Sequence, residues 1–121
     1  MYYPPKRRKL TPAERREVHN KCRGHCAYCG EELAYKNMHV DHVQPISVCG
    51  SDTLDNILPA CRSCDHYKSS LTLEDFRSYV SSMPCRLHRD SVTYRNAVRF
   101  GMVIHNPQTI RFYFEKMEGT P

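Results

Sequence analysis

The sequence predicts an α+β fold of small elements. Three observations carry that expectation: two separated CxxC pairs, a short alternating segment between them broken by glycine and proline, and a helical spacing of apolar residues after Thr72. Seven cysteines among 121 residues far exceeds ordinary usage, so a covalent or metallic staple is expected in so short a chain. The length fits a basic arm over residues 1–10 and one domain over 11–121, with a core motif in 26–70 and a C-terminal helical and strand extension in 71–121.

In the arm, Pro4 and Pro5 precede Lys6, Arg7, Arg8 and Lys9, which rules out a core element there. Thr11, Pro12 and Glu14 form a capping-box pattern with proline at the first helical position, and Gly24 is placed to end the helix. Between Gly24 and Cys64, Met38, Val40 and His42 alternate with His39, Asp41 and Val43, predicting a two-stranded hairpin that ends near Pro45. Thr53–Leu58 reads as a single turn, and a short helix follows Cys61. Leu73, Phe76, Val80 and Met83 predict a helix that ends before Pro84, and a further helix spans Ser91 to Phe100, stopped by Gly101. Ile110, Phe112 and Phe114 alternate with Arg111 and Tyr113, predicting a closing strand.

The net charge of +5 is unevenly placed. Residues 1–23 hold eight Lys or Arg against two Glu, a balance of +6, whereas the remainder balances to −1. Such a run is the electrostatic footprint of a phosphate-binding tail. No apolar run approaches the roughly 20 residues of a membrane span, and no apolar stretch follows Met1, so a membrane partner is not expected. A cytoplasmic location with reduced thiols is expected, in the bacterial host if the chain is phage-encoded.

Cys26-Ala-Tyr-Cys29 and Cys61-Arg-Ser-Cys64 can each bring two thiolates to one tetrahedral ion, at about 2.3 Å per bond, which points to a structural zinc (Zn²⁺). A thioredoxin-like redox role fits poorly, because two pairs occur and neither lies in a strand–helix–strand pattern. Cys22, four residues before Cys26 on the arm side, is a conceivable substitute ligand, while Cys49 and Cys85 have no partner at ligand spacing. The clamp encloses residues 30–60, where the chemistry is expected.

Within that insert stand His39-Val-Asp41-His42-Val-Gln-Pro45 and then Asp55-Asn56, and the second pair continues as Cys64-Asp65-His66-Tyr67-Lys68. From about Cys26 to Lys68 the chain resembles the HNH endonuclease family in its zinc-bearing form. The resemblance implies a ββα-metal nuclease core with a four-cysteine structural zinc and flanking helices. It implies His42 as general base, since imidazole's ordinary pKa of about 6.5 suits proton abstraction near neutrality. Asp41 would be an oxygen ligand to Mg²⁺ or Mn²⁺, and Asn56 would orient the base and fix its loop. The residue after the last cysteine is usually Asn or His in the family and is Asp65 here, so the second ligand is either Asp65 or, in another helical register, His66. His39 shares a strand face with Asp41 and is an accessory ligand or phosphate contact. Arg62 and Lys68 would bind flanking phosphates.

The implied function is metal-dependent hydrolysis of DNA, duplex or branched, nicking one strand to leave a 5′-phosphate and a 3′-hydroxyl. Two alternatives are a non-catalytic zinc module that binds nucleic acid and a phage packaging or assembly factor docking on a phage protein. One site per chain implies that cutting both strands takes a homodimer or two successive events.

Overall fold

The computed structural model describes residues 9–117, so Lys6, Arg7 and Arg8 of the basic arm lie outside the described residues, while Lys9 is exposed. The first helix, α1 (Pro12–Lys21), begins as its sequence requires. Thr11 Oγ1 accepts from the Glu14 amide at 3.1 Å and Glu14 Oε1 accepts from the Thr11 amide at 3.0 Å, satisfying two otherwise orphaned donors. Past the helix, Gly24 takes a positive φ of 78° and donates its amide to the His19 carbonyl.

Only Val18 of α1 is buried. It packs with Leu33, Met38 and Ile57, against which Leu10, Val40, Leu54 and Cys61 also lie. So small a core is supplemented by the helix's polar side chains, which reach backbone carbonyls. Arg15 donates to Met38 O at 3.2 Å, Lys21 donates to Ile57 O at 2.9 Å and to Leu54 O, and His19 Nε2 lies 2.6 Å from Leu33 O. Hydrogen bonds from charged donors contribute about 1.5–3 kcal/mol each, comparable to burying one aliphatic side chain.

The sheet has two antiparallel strands, β1 (His39–His42) and β2 (Ile57–Ala60), in the register His39↔Ala60, Val40↔Pro59, Asp41↔Leu58 and His42↔Ile57. The expected hairpin is thus corrected in one respect: its second strand comes after a loop over residues 43–56. The expected turn at Thr53–Leu58 shrinks to a 3₁₀ turn, Leu54–Asn56, and Ile57 already belongs to β2. Pro59 is tolerated in β2 because it lacks an amide on an edge strand, and its carbonyl accepts from the Ala27 amide at 2.9 Å. Next comes α2 (Arg62–Lys68), capped by the Cys61 side chain.

The chain divides into two compact units, one of residues up to Leu73 together with those from Arg111 on, the other Glu74–Ile110. In the first unit the expected strand at Ile110–Phe114 does not form. Phe112 is buried, and a short helix (Tyr113–Met117) follows, whose Tyr113 and Phe114 amides donate to the Tyr28 and Ala27 carbonyls. Phe112 and Phe114 both meet the Tyr28 ring edge-on, at centroid distances of 5.3 and 6.1 Å. The aromatic alternation is satisfied by packing on one tyrosine rather than by a sheet.

The second unit is helical. It contains most of α3 (Leu73–Ser81), then α4 (Met83–Asp90) and α5 (Val92–Arg99). Pro84, read above as lying beyond a helix, instead sits in the first turn of α4, where its missing amide costs nothing. Ser91 caps α5 by accepting from the Tyr94 amide, and Gly101 at φ 76° ends it, as expected. No helix among the described residues is long and apolar enough to cross a membrane.

Candidate active site

The two CxxC pairs converge. The Sγ atoms of Cys26, Cys29, Cys61 and Cys64 all lie within 4.8 Å of one another, and Cys29 Sγ and Cys61 Sγ are 3.9 Å apart. Tetrahedral thiolate ligation at about 2.3 Å requires S–S separations of about 3.8 Å, so the donor set fits a metal ion of that geometry. Amides prepare it: Cys61 N donates to Cys26 Sγ at 3.3 Å, and Cys64 N to Cys61 Sγ at 3.4 Å. A hydrogen bond from Cys64, then backbone amides, hold the Cys26 thiol down at about 4 despite its burial. Cys22 stands outside this group and is fully enclosed, which pushes its thiol up to about 11, as expected of an inert thiol. Cys49 and Cys85 are exposed and free.

Beside this knuckle, β1 and α2 bring a second group together. Asp41 is only 2% exposed. The Tyr28 hydroxyl donates to its Oδ2 at 2.5 Å, and Lys68 Nζ lies 3.0 Å from the same oxygen. Burial raises the Asp41 pKa, opposed by Tyr28 and Lys68, and the nearby charge of Asp65 raises it further. His39 Nδ1 and Asp65 Oδ2 are 2.9 Å apart in a more open position. Residues 65 and 68 are one helical turn apart and residues 39 and 41 share a strand face, so both pairings follow from ordinary helix and strand periods.

Lys68, expected among the phosphate contacts, is corrected by this geometry. It is fully buried, and its ammonium serves Asp41 and the His42 carbonyl, the latter at 2.9 Å. Arg62 stays at the surface, bordering a depression with Lys36, Asn37, Met38 and His39 and another with Ser63 and His66. The His66 ring stands edge-on to Tyr67 at 5.1 Å, whereas Asp65 is the residue beside His39.

His42 is 4% exposed, and its Nε2 lies 2.8 Å from Asp52 Oδ1. Asp52 comes from the loop between the strands, which is held closed by Asn56. The Asn56 amide donates to Gln44 O at 2.9 Å and Ser51 O at 2.8 Å, and its oxygen accepts from Gln44 N at 3.0 Å. Those three bonds all go to loop backbone, so of the two roles expected of Asn56, fixing the loop and orienting the histidine, its direct contacts serve the first. The loop closes so tightly that a Cβ on Gly50 would lie 1.8 Å from the Gln44 carbonyl oxygen.

Two of these residues escaped the reading of the sequence. Tyr28 sits inside a CxxC pair, where nothing marks its hydroxyl as a partner of a carboxylate thirteen residues on. Asp52 lies in a Gly-Ser-Asp-Thr run that reads as an ordinary polar turn.

Residues 26–80 match the family model described as HNH endonuclease. This stretch contains both cysteine pairs, both strands, α2 and most of α3, an arrangement of two strands and a helix with four cysteines positioned to bind a metal ion. Over 46 residues the chain is 35% identical to the CRISPR-associated endonuclease Cas9 of Corynebacterium diphtheriae, covering 37% of this chain and 4% of that protein. Its fold is similar to part of the Type II-C Cas9 enzyme from Actinomyces naeslundii, with a TM-score of 0.51 and 18% identity over 62% of this chain and 9% of that one. The chain therefore spans less than a tenth of the length of either relative.

Proposed function

We propose that the chain is a metal-dependent endonuclease that hydrolyses phosphodiester bonds in DNA, nicking one strand and leaving 5′-phosphate and 3′-hydroxyl ends. The observation that carries this reading is the apposition of α2 and β1, which gathers Asp41, Asp65 and His39 next in sequence to a histidine held by a carboxylate.

Asp41 and Asp65 are the residues that would hold Mg²⁺ or Mn²⁺, with His39 as accessory. Hard oxygen donors suit such an ion, and burial first, then the charge of Asp65, disfavour an ionised Asp41, a penalty that a divalent cation relieves. When bound, the ion supplies positive charge for the phosphate and the departing 3′ oxygen. His42 takes a proton from water while that water's oxygen attacks phosphorus. The bond from phosphorus to the 3′ oxygen breaks, and that oxygen leaves as a hydroxyl after taking a proton from solvent. Asn56 keeps the loop around His42 closed. Arg62 and the arm residues Lys6, Arg7, Arg8 and Lys9 contact flanking phosphates, which positions DNA without reading its sequence. The four cysteines hold zinc as a closed structural site.

The test is conversion of supercoiled plasmid to open circle with added Mg²⁺ or Mn²⁺. The parent nicks, and His42→Ala loses about 10²–10⁴-fold in rate while keeping its zinc and fold. If His42→Ala cuts at the parental rate with contaminating nuclease excluded, the function is that of a zinc module that binds nucleic acid without cutting it.

A further inference from the structure

We infer that Asp52 is the positioning residue for His42: its carboxylate accepts the Nε2–H, fixes the ring in one rotamer and one tautomer, and so makes Nδ1 the nitrogen that receives the proton. This rests on the reading of His42 as the base and adds which residue directs it and which atom acts.

A neutral imidazole carries its proton on one nitrogen and a lone pair on the other, and the hydrogen bond made by one decides the role of the other. Asp52 Oδ1 lies 2.8 Å from Nε2. A carboxylate offers acceptors only, so Nε2 bears the proton and Nδ1 the lone pair. Nδ1 is buried and bonds to no group among the described residues, which leaves its lone pair uncommitted.

Other candidates for holding the ring are engaged elsewhere. Asp41 faces Tyr28 and Lys68, and every Asn56 side-chain bond is made to loop backbone. That loop also explains why Asp52 can hold its place although it lies between two short 3₁₀ turns, Ile46–Val48 and Leu54–Asn56, and in neither. Asn56 grips the carbonyl of Ser51, the residue before Asp52, and Gly50 packs against Gln44 so closely that no side chain fits. Asn56 therefore reaches His42 through Asp52, with the loop backbone as the link.

The experiment uses the full-length, zinc-loaded chain and the variants Asp52→Ala, Asp52→Asn and His42→Ala. Long-range ¹⁵N–¹H spectra without added divalent ion, well above imidazole's ordinary pKa of about 6.5, report the tautomer of His42. Single-turnover nicking of supercoiled plasmid reports rate. The parent shows the Nε2–H tautomer. Asp52→Ala lowers the rate constant by about 10–100-fold, the usual effect of removing such a supporting partner, with substrate half-saturation and zinc content unchanged. Asp52→Asn keeps the shape of the side chain, and its amide can donate to Nε2, so it shifts the ring toward Nδ1–H and fails to restore the rate. A purely structural role for Asp52 in the loop predicts the opposite, that Asn rescues. An inactive His42→Ala alongside an Asp52→Asn that cuts like the parent overturns this inference alone, as does an Nδ1–H tautomer in the parent. A His42→Ala that still cuts overturns the reading beneath it.

Discussion

Replacing Lys68 by Met keeps most of the side chain's apolar stem and deletes one buried charge. With Nζ 3.0 Å from Asp41 Oδ2, the pair attracts by about 5 kcal/mol at an effective dielectric near 20, part of which offsets the desolvation of both ions. Removing one partner of such a pair costs about 3–5 kcal/mol, because the remaining charge stays buried. The lost bond to the His42 carbonyl acts in the same direction. Against a typical domain stability of about 5–15 kcal/mol, the effect is large. Urea unfolding of zinc-loaded protein should show a midpoint lower by at least about 1 M for slopes of 1–3 kcal/mol/M. The loss also has a pH signature. Burial and Asp65 already raise the Asp41 pKa, and removing Lys68 raises it further, so the folded variant binds a proton that the unfolded chain releases. Stability then falls as pH rises from the ordinary aspartate value of about 3.9 through the raised folded value, and the deficit shrinks in acid. Adding Asp41→Asn to Lys68→Met should recover most of the loss at neutral pH. A Lys68→Met protein within about 0.5 kcal/mol of the parent at pH 7.5, the range of a neutral surface change, would refute Lys68 as the counter-charge of Asp41.

Elemental analysis should find one zinc per folded chain, and stripping it with a chelator, or Cys64→Ser, should unfold the first unit as judged by circular dichroism, since the four sulfurs cluster around one point. Gly50→Ala should lower nicking far more than it lowers zinc content, because the new methyl meets the Gln44 carbonyl at 1.8 Å and the loop carrying Asp52 must shift; unchanged kinetics would mean that the loop does not position the histidine. Asp65→Ala should raise the Mg²⁺ concentration needed for half-maximal nicking and His66→Ala should not, and the reverse result would move the second ligand by one residue. Deleting residues 1–9 should weaken DNA binding and flatten its dependence on salt, since each phosphate contact removed lowers the slope by about 0.9; an equal slope would make the arm a solubiliser.

The elements that were legible in the sequence are those whose cause is local. Thr11, Pro12 and Glu14 mark a helix start through contacts three residues apart, Ser91 caps the helix that follows it, and two CxxC pairs announce a tetrahedral site because the chemistry of the ligand itself sets the spacing. Proline at 84 was ambiguous, since the same residue stops one helix and starts another. The pattern around Phe112 misled for a different reason: alternation describes a pleated strand, but nothing in a sequence says whether a free strand edge exists for it to join. In the candidate site, Asp41, His42, Asn56 and Asp65 form a compound motif visible along the chain. Their supports are not visible there, because Tyr28, Asp52 and Lys68 reach their partners across thirteen, ten and twenty-six or more residues through contacts that only the folded chain creates.

The dipeptide Ala27-Tyr28 lies between two of the cysteines positioned to bind a metal ion, and four of its polar groups are engaged. The Ala27 amide holds β2, both carbonyls anchor the C-terminal turn, and the tyrosine hydroxyl holds Asp41. Oxidative damage to the thiolates, or their occupation by a larger soft metal, would therefore reach the carboxylate through one rigid tyrosine. A designer wishing to swap the knuckle for a metal-free support inherits that obligation: any replacement has to deliver a phenol to Asp41 as well as stability to the fold.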